Sequence, residues 1–137
     1  MFLIDTMVLS ELRKRERNKN VVRWISTQRS TDLFLSVVTI GEIERGIELR
    51  KNNDTEFATA LTVWLDKILT LYLERIIAID LATARRWGKL SASVGHDGAD
   101  LLIAATAMEH GLTVVSRNVQ HFEPTGVSVL DPFENKS

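Results

Sequence analysis

The chain has 137 residues, 45% of them hydrophobic, with two prolines, seven glycines and no low-complexity stretch; one globular domain over residues 1–137 is expected, and extended disorder is not. There is no cysteine, which excludes disulfides and thiolate metal sites. The formal net charge of −1 argues by itself neither for nor against a nucleic-acid partner.

In chain order, FLI (2–4) is the first predicted strand, and Asp5 follows it directly. A helix is expected over VLSELRKR (8–15), with a further turn or two in NVVRWISTQ (20–28). Between them, RKRERNK (13–19) holds five cations and one anion. Such a run is most often a solvated helix end. Its place soon after the first strand makes Arg13, Lys14 and Arg15 a candidate phosphate-contacting edge if an active site lies nearby.

LFLSVV (33–38) is the second predicted strand and TIGEIERGIELRK (39–51) the helix after it. In DTEFATALTVWLDKILTLYL (54–73), Phe57, Leu61, Trp64, Ile68 and Leu71 fall at spacings of three and four, one apolar helix face. Asp54 or Thr55 would cap its start. RIIAI (75–79) is the third strand, and Asp80 the expected N-cap of LATARRWGKLSASV (81–94). ADLLIAATAMEHG (99–111) is apolar around most of its circumference and ends at Gly111, so it reads as a buried helix closed in the left-handed conformation. TVVS (113–116) and VSVL (127–130) complete the strands. The longest apolar run, LLIAATAM (101–108), is too short to span a bilayer, and no secretory signal follows Met1. A cytoplasmic protein with no membrane partner is expected.

Strands separated by helices, most of them continuous apolar runs, predict an α/β fold: a three-layer α/β/α sandwich with a mostly parallel central sheet. In open α/β sheets ligands bind beyond the carboxyl ends of the strands. Asp5 occupies the first such end, Glu42 follows the second strand after a short turn, and TVVS runs into Arg117 and Asn118. Asp100 opens the buried helix, whose start faces the same edge. Each has a local alternative. Asp5, and Asp97 or Asp100, could cap the helices they precede; Thr39 and Glu42 fit a capping box; Asn118 could be an ordinary turn residue. Capping alone does not explain why the acids gather at one edge.

Two carboxylates about 6 Å apart at an effective dielectric near 20 repel by roughly 3 kcal/mol. Three such pairs approach the whole stability of a small domain, roughly 5–15 kcal/mol. A cation is therefore expected. Oxygen ligands without Cys or a His pair favour Mg²⁺ or Mn²⁺ over zinc. Metal-assisted hydrolysis of a nucleic-acid backbone is the reaction class that follows.

The segments DTMVLSELRK, TIGEIERGI, DLLIAATAMEHGLTVVSRNVQHF and GVSVLDPF together resemble PIN-domain ribonucleases, more narrowly the VapC-type toxins of bacterial toxin–antitoxin pairs. The match covers nearly the whole chain in order; residues from Lys51 to about Arg86 contribute little. The resemblance implies a PIN-like α/β/α sandwich and Mg²⁺- or Mn²⁺-dependent endoribonuclease activity on RNA. It also implies a homodimer and a cognate antitoxin acting in trans. Asp5, Glu42 and Asp100 match the family's three strand-end acids, with Asp5 and Asp100 as metal ligands and Glu42 orienting a water or a second ion. Thr6 and Ser116 match its hydroxyl partners. Two positions depart from the pattern: Met7 stands where relatives usually carry Asn, and His121 stands in place of a fourth acid, leaving Asn118 and His121 as nearby polar groups.

Two other functions fit parts of the sequence. A phosphotransfer domain also places an Asp after its first strand, but wants a neighbouring second acid and a late Lys where this chain has Met7 and Arg117-Asn118. The His121 departure keeps open a PIN-like module that binds RNA or an antitoxin peptide without cutting, behind the nuclease.

Overall fold

The computed structural model describes residues 1–134. Five strands, β1 (Phe2–Ile4), β2 (Leu33–Ser36), β3 (Ile76–Ile77), β4 (Thr113–Val115) and β5 (Val129–Leu130), form one sheet in the order β3-β2-β1-β4-β5. Every neighbouring pair is parallel, with Leu3 opposite Phe34 on one side and Val114 on the other. The mostly parallel sheet expected from the sequence is found, and it is wholly parallel.

The continuous apolar runs have a simple cause. Successive side chains on a strand point to opposite faces, so a strand covered on both faces is apolar at every position. Ile4, Leu35 and Val115 enter one core with Val8, Ile43, Leu61 and Leu65. Leu3 and Val114 enter the other with Ile103, Ala104, Ala107 and Phe122. The first face is covered by α1 (Thr6–Glu11), α2 (Lys19–Ser26), α3 (Val37–Arg50) and α4 (Thr55–Leu71). The second is covered by α6 (Ala99–His110) and α7 (Val119–Phe122), with α5 (Leu81–Val94) packed on α6. This is the three-layer arrangement expected. Residues 103–107 of α6 are all buried, and the alanines there allow the helix to lie close on the sheet.

Several ends differ from the sequence expectation. β2 stops at Ser36, whose hydroxyl accepts from Val38 N at 3.0 Å and caps α3. Val37 and Val38 therefore open a helix instead of ending a strand. The capping box that the sequence allows as an alternative for Thr39 and Glu42 does not form, because Ser36 caps α3; Thr39 and Glu42 make other contacts. Arg75 belongs to a 3-10 turn (Leu73–Arg75), where its guanidinium donates to the carbonyls of Leu33 at 2.7 Å and Leu71 at 2.8 Å. The buried stripe of α4 is Ala58, Leu61, Leu65 and Ile68, whereas Leu71 is 66% exposed. The caps at Asp54, Asp80 and Gly111 are as expected: Asp54 accepts from Phe57 N at 3.1 Å, Asp80 from Thr83 N at 2.8 Å, and Gly111 adopts φ +67°. Among the described residues no helix is long and apolar enough to cross a membrane.

Candidate active site

The sheet order reverses at β1. The chain moves outward through β2 and β3 on one side, then returns to place β4 and β5 on the other. The crevice of an open α/β sheet opens at such a reversal, here between β1 and β4. The residues that leave those two strands at that edge are Asp5 and Ser116.

Asp5 is only 5% exposed. Its Oδ1 accepts from Thr6 N at 2.8 Å, which caps α1, and its Oδ2 accepts from the Ser116 hydroxyl at 2.8 Å. The Ser116 oxygen in turn accepts from Asn118 N at 3.0 Å. Capping therefore accounts for one oxygen of Asp5 and leaves the other facing the crevice. Burial pushes the Asp5 carboxyl above its usual 3.8; the bonds from Ser116 and Thr6 pull the other way, and the charges of Asp100 and Glu42 add to the rise.

Glu42 arrives from the second turn of α3. The Thr6 hydroxyl donates to its Oε1 at 2.7 Å and lies 3.1 Å from the Thr39 hydroxyl. Thr39 is fully buried, whereas the sequence alone offers it only as a capping residue. A hydroxyl one turn before a strand-end acid was the available signal. Asp100 lies in the first turn of α6, whose N-cap is Gly98, so it is not a cap. Its Oδ2 meets His121 Nδ1 at 3.0 Å. The Asn118 amide donates to Met7 Sδ at 3.1 Å, so the thioether at the departing position takes a polar contact, although sulfur is a weak acceptor.

The basic run divides. Arg13 folds back until its guanidinium carbon is 5.0 Å from the centroid of Phe57, and it lines the same cavity as Thr6 and Glu42. Lys14 is committed to Glu11 at 2.9 Å, and Glu11 also accepts from Asn18 N at 2.9 Å. Arg15 is exposed and lies outside that cavity.

Among the described residues no three Asp, Glu, His or Cys side chains stand close enough to cage an ion. Mg²⁺ does not require a cage, since one or two carboxylates plus waters suffice. Asp5 and Asp100 are the candidates for that pair. Each Asp5 oxygen is used by one hydrogen bond, and Asp100 has one oxygen free of the His121 contact. A carboxylate oxygen carries two lone-pair directions, so acceptor capacity remains on both. Excess negative charge and hard oxygen donors fit a divalent cation.

The sequence pattern of the PIN domain matches residues 2–125. Over 98% of its length the chain is 33% identical to VapC ribonuclease Y4jK of Sinorhizobium fredii, covering 99% of that protein. Toxin FitB of Neisseria gonorrhoeae is 32% identical over 98% of this chain and all of its own. A solved structure of FitAB bound to an IR36 DNA fragment superposes with a TM-score of 0.86 at 30% identity, covering 100% of this chain and 99% of that one. By that match over residues 2–125 and by these relatives, the chain belongs to the PIN domain family.

Proposed function

We propose that the protein is a divalent-metal-dependent endoribonuclease, the toxin of a toxin–antitoxin pair, acting in the cytoplasm on RNA phosphodiester bonds. The observation that carries this reading is Asp5: a buried carboxylate fixed by Thr6 and Ser116, whose ionised form is disfavoured by burial and by Asp100 and Glu42 together. Such a site gains from a cation, and relatives described as a VapC ribonuclease and a toxin support the same class.

Asp5 and Asp100 would hold the ion, Mg²⁺ or Mn²⁺, which would supply charge neutralisation and an acidified water at the phosphate. Ser116 and Thr6 keep the Asp5 carboxylate in one orientation. Glu42, held by the Thr6 hydroxyl, presents its second oxygen to a water. His121 sits on Asp100 where it can orient that carboxylate or carry a proton. Asn118 is fixed by its backbone bond to Ser116 and offers an amide at the rim. Arg13 supplies positive charge on the Glu42 side.

Cleavage of a labelled RNA by the purified protein should require Mg²⁺ or Mn²⁺ and fall by about two orders of magnitude or more in Asp100→Asn, since even outer-shell changes cost 10–100-fold. A pure preparation that binds RNA but stays inert at every metal concentration would leave the non-cutting module as the function. Inhibition comes from a cognate antitoxin, and the chain itself pairs as a homodimer. The exposed Leu71, Leu73 and Leu81 (66%, 72% and 76%) are apolar surface that such pairing could cover. Light scattering should return twice the 15.5 kDa chain mass; a single chain mass across the micromolar range would remove the dimer.

A further inference from the structure

Beside Thr6 and Glu42, two arginines far apart in sequence close on one aromatic ring. Arg13 follows α1, and its guanidinium carbon lies 5.0 Å from the Phe57 centroid. Arg50 ends α3, and its guanidinium carbon lies 4.5 Å from the same centroid. Phe57 stands in the first turn of α4. Neither arginine is in a salt bridge among the described residues. Arg13 Nε is buried and has no hydrogen-bond partner. Both arginines and Phe57 line a cavity of about 150 Å³ that they share with Thr6 and Glu42.

The arrangement is short of one anion. Two like charges gathered on a single ring repel each other, and a buried donor without an acceptor is costly. We propose that Arg13 and Arg50 clamp a phosphate of the RNA strand next to the one that is cut, with Phe57 as the positioning residue that holds both guanidinium groups. This rests on the ribonuclease function proposed above and extends it to substrate binding.

Three considerations select a nucleic-acid phosphate. A polyanion approaching Asp5, Glu42 and Asp100 meets repulsion, so cations at the rim of that site are needed to bring the strand in. The planar fork of a guanidinium matches phosphate oxygens two at a time. The cavity is bordered by Glu42 and by Thr6, the residue after Asp5, so a phosphate held in it neighbours one held at Asp5. With cations packed on its ring, Phe57 serves the guanidinium groups and not a stacked base. The clamp therefore grips backbone and carries no base preference.

The test is binding of a fluorescein-labelled RNA hairpin in chelator, where no cutting occurs, across a salt series. Arg50→Gln should weaken binding by about tenfold and lower the slope of log affinity against log salt, by at most the roughly 0.7–0.9 share of one phosphate contact. The loss should be equal for two hairpins of unrelated sequence. Arg13→Gln with Arg50→Gln should lose less than the product of the separate losses, because both hold one group. Phe57→Leu keeps both charges and should still weaken binding at an unchanged slope. Arg50 is exposed, so its replacement spares the core; if Arg13→Gln fails to fold, the Arg50→Gln slope alone decides. Unchanged affinity and slope in Arg50→Gln would overturn the clamp, as would a variant that keeps RNA but loses capture of a synthetic Glu-rich peptide. Cleavage by the unmutated protein is followed in parallel. If it binds but does not cut, the ribonuclease function falls while the slope still judges the clamp. If it cuts while Arg50→Gln binds normally, only the clamp falls.

Discussion

Asp5 divides its two oxygens between structure and site: Oδ1 caps α1 through Thr6 N, and Oδ2 faces the crevice on the Ser116 hydroxyl. Burial raises its carboxyl above 3.8, and Asp100 and Glu42 add to the rise. The folded protein therefore takes up this proton at a higher pH than the unfolded chain does. The stability it contributes is full below the unfolded value and is lost as pH rises through the folded one. In chelator at neutral pH, Asp5→Asn should raise the melting temperature, and the gain should vanish as the buffer is taken below pH 3.8. A loss of stability at neutral pH would show that the Ser116 and Thr6 bonds need the charge more than burial opposes it. Glu11 has the opposite sign. Lys14 and the Asn18 amide hold its carboxyl below 4.5, so its contribution is present above that value and is lost as pH falls through the lowered one. The sequence marked Asp5, Glu42 and Asp100 because each follows or faces a strand end. It could not distribute their oxygens, because Ser116 reaches Asp5, Thr6 reaches Glu42 and His121 reaches Asp100 only through the fold.

At the scale of elements, α6 shows both what the sequence revealed and why. Its alanines and Leu101, Ile103 leave no polar face, so only burial on both sides is compatible with it, and residues 103–107 are buried. Gly111 ends it at φ +67°, with Gly111 N in the left-handed cap over Ala107 O. An added Cβ would meet no neighbour within 4 Å, so Gly111→Ala would suffer only the conformational cost. That cost is about 1–2 kcal/mol, and chemical denaturation should show it as a lower midpoint at unchanged slope. A loss near zero would mean that the turn relaxes to another conformation. The β2–α3 boundary was misplaced for a physical reason. Val37 and Val38 favour strand by side-chain shape, but the Ser36 hydroxyl bonds Val38 N and starts the helix two residues early. The middle of the chain hid its role in the same way. Phe57 looks like one more apolar helix position until the fold brings Arg13 and Arg50 onto its ring.

For the whole molecule, the acids come from all three layers: Asp5 from the end of β1, Glu42 from α3 on one face, and Asp100 from α6 on the other. An ion bridging Asp5 and Asp100 would thus tie the sheet to a helix layer at the point where their charges oppose closure. Unfolding separates these groups, so the unfolded chain has no comparable site, and binding adds directly to global stability. At a hundred times the dissociation constant that addition is about 2.7 kcal/mol, which for a chain of this size raises the melting temperature by roughly 10 °C. Mg²⁺ or Mn²⁺ should give such a concentration-dependent rise in the unmutated protein. Asp100→Asn should keep its fold but respond weakly, because one carboxylate remains without its partner. Asp66→Asn, exposed on α4, should respond like the parent and thereby separate a specific site from general salt effects. An equal rise in the parent and in Asp100→Asn would place the ion elsewhere. With no rise in any of the three, the strand-end acids would not form a cation site, and the metal-dependent reading would fall.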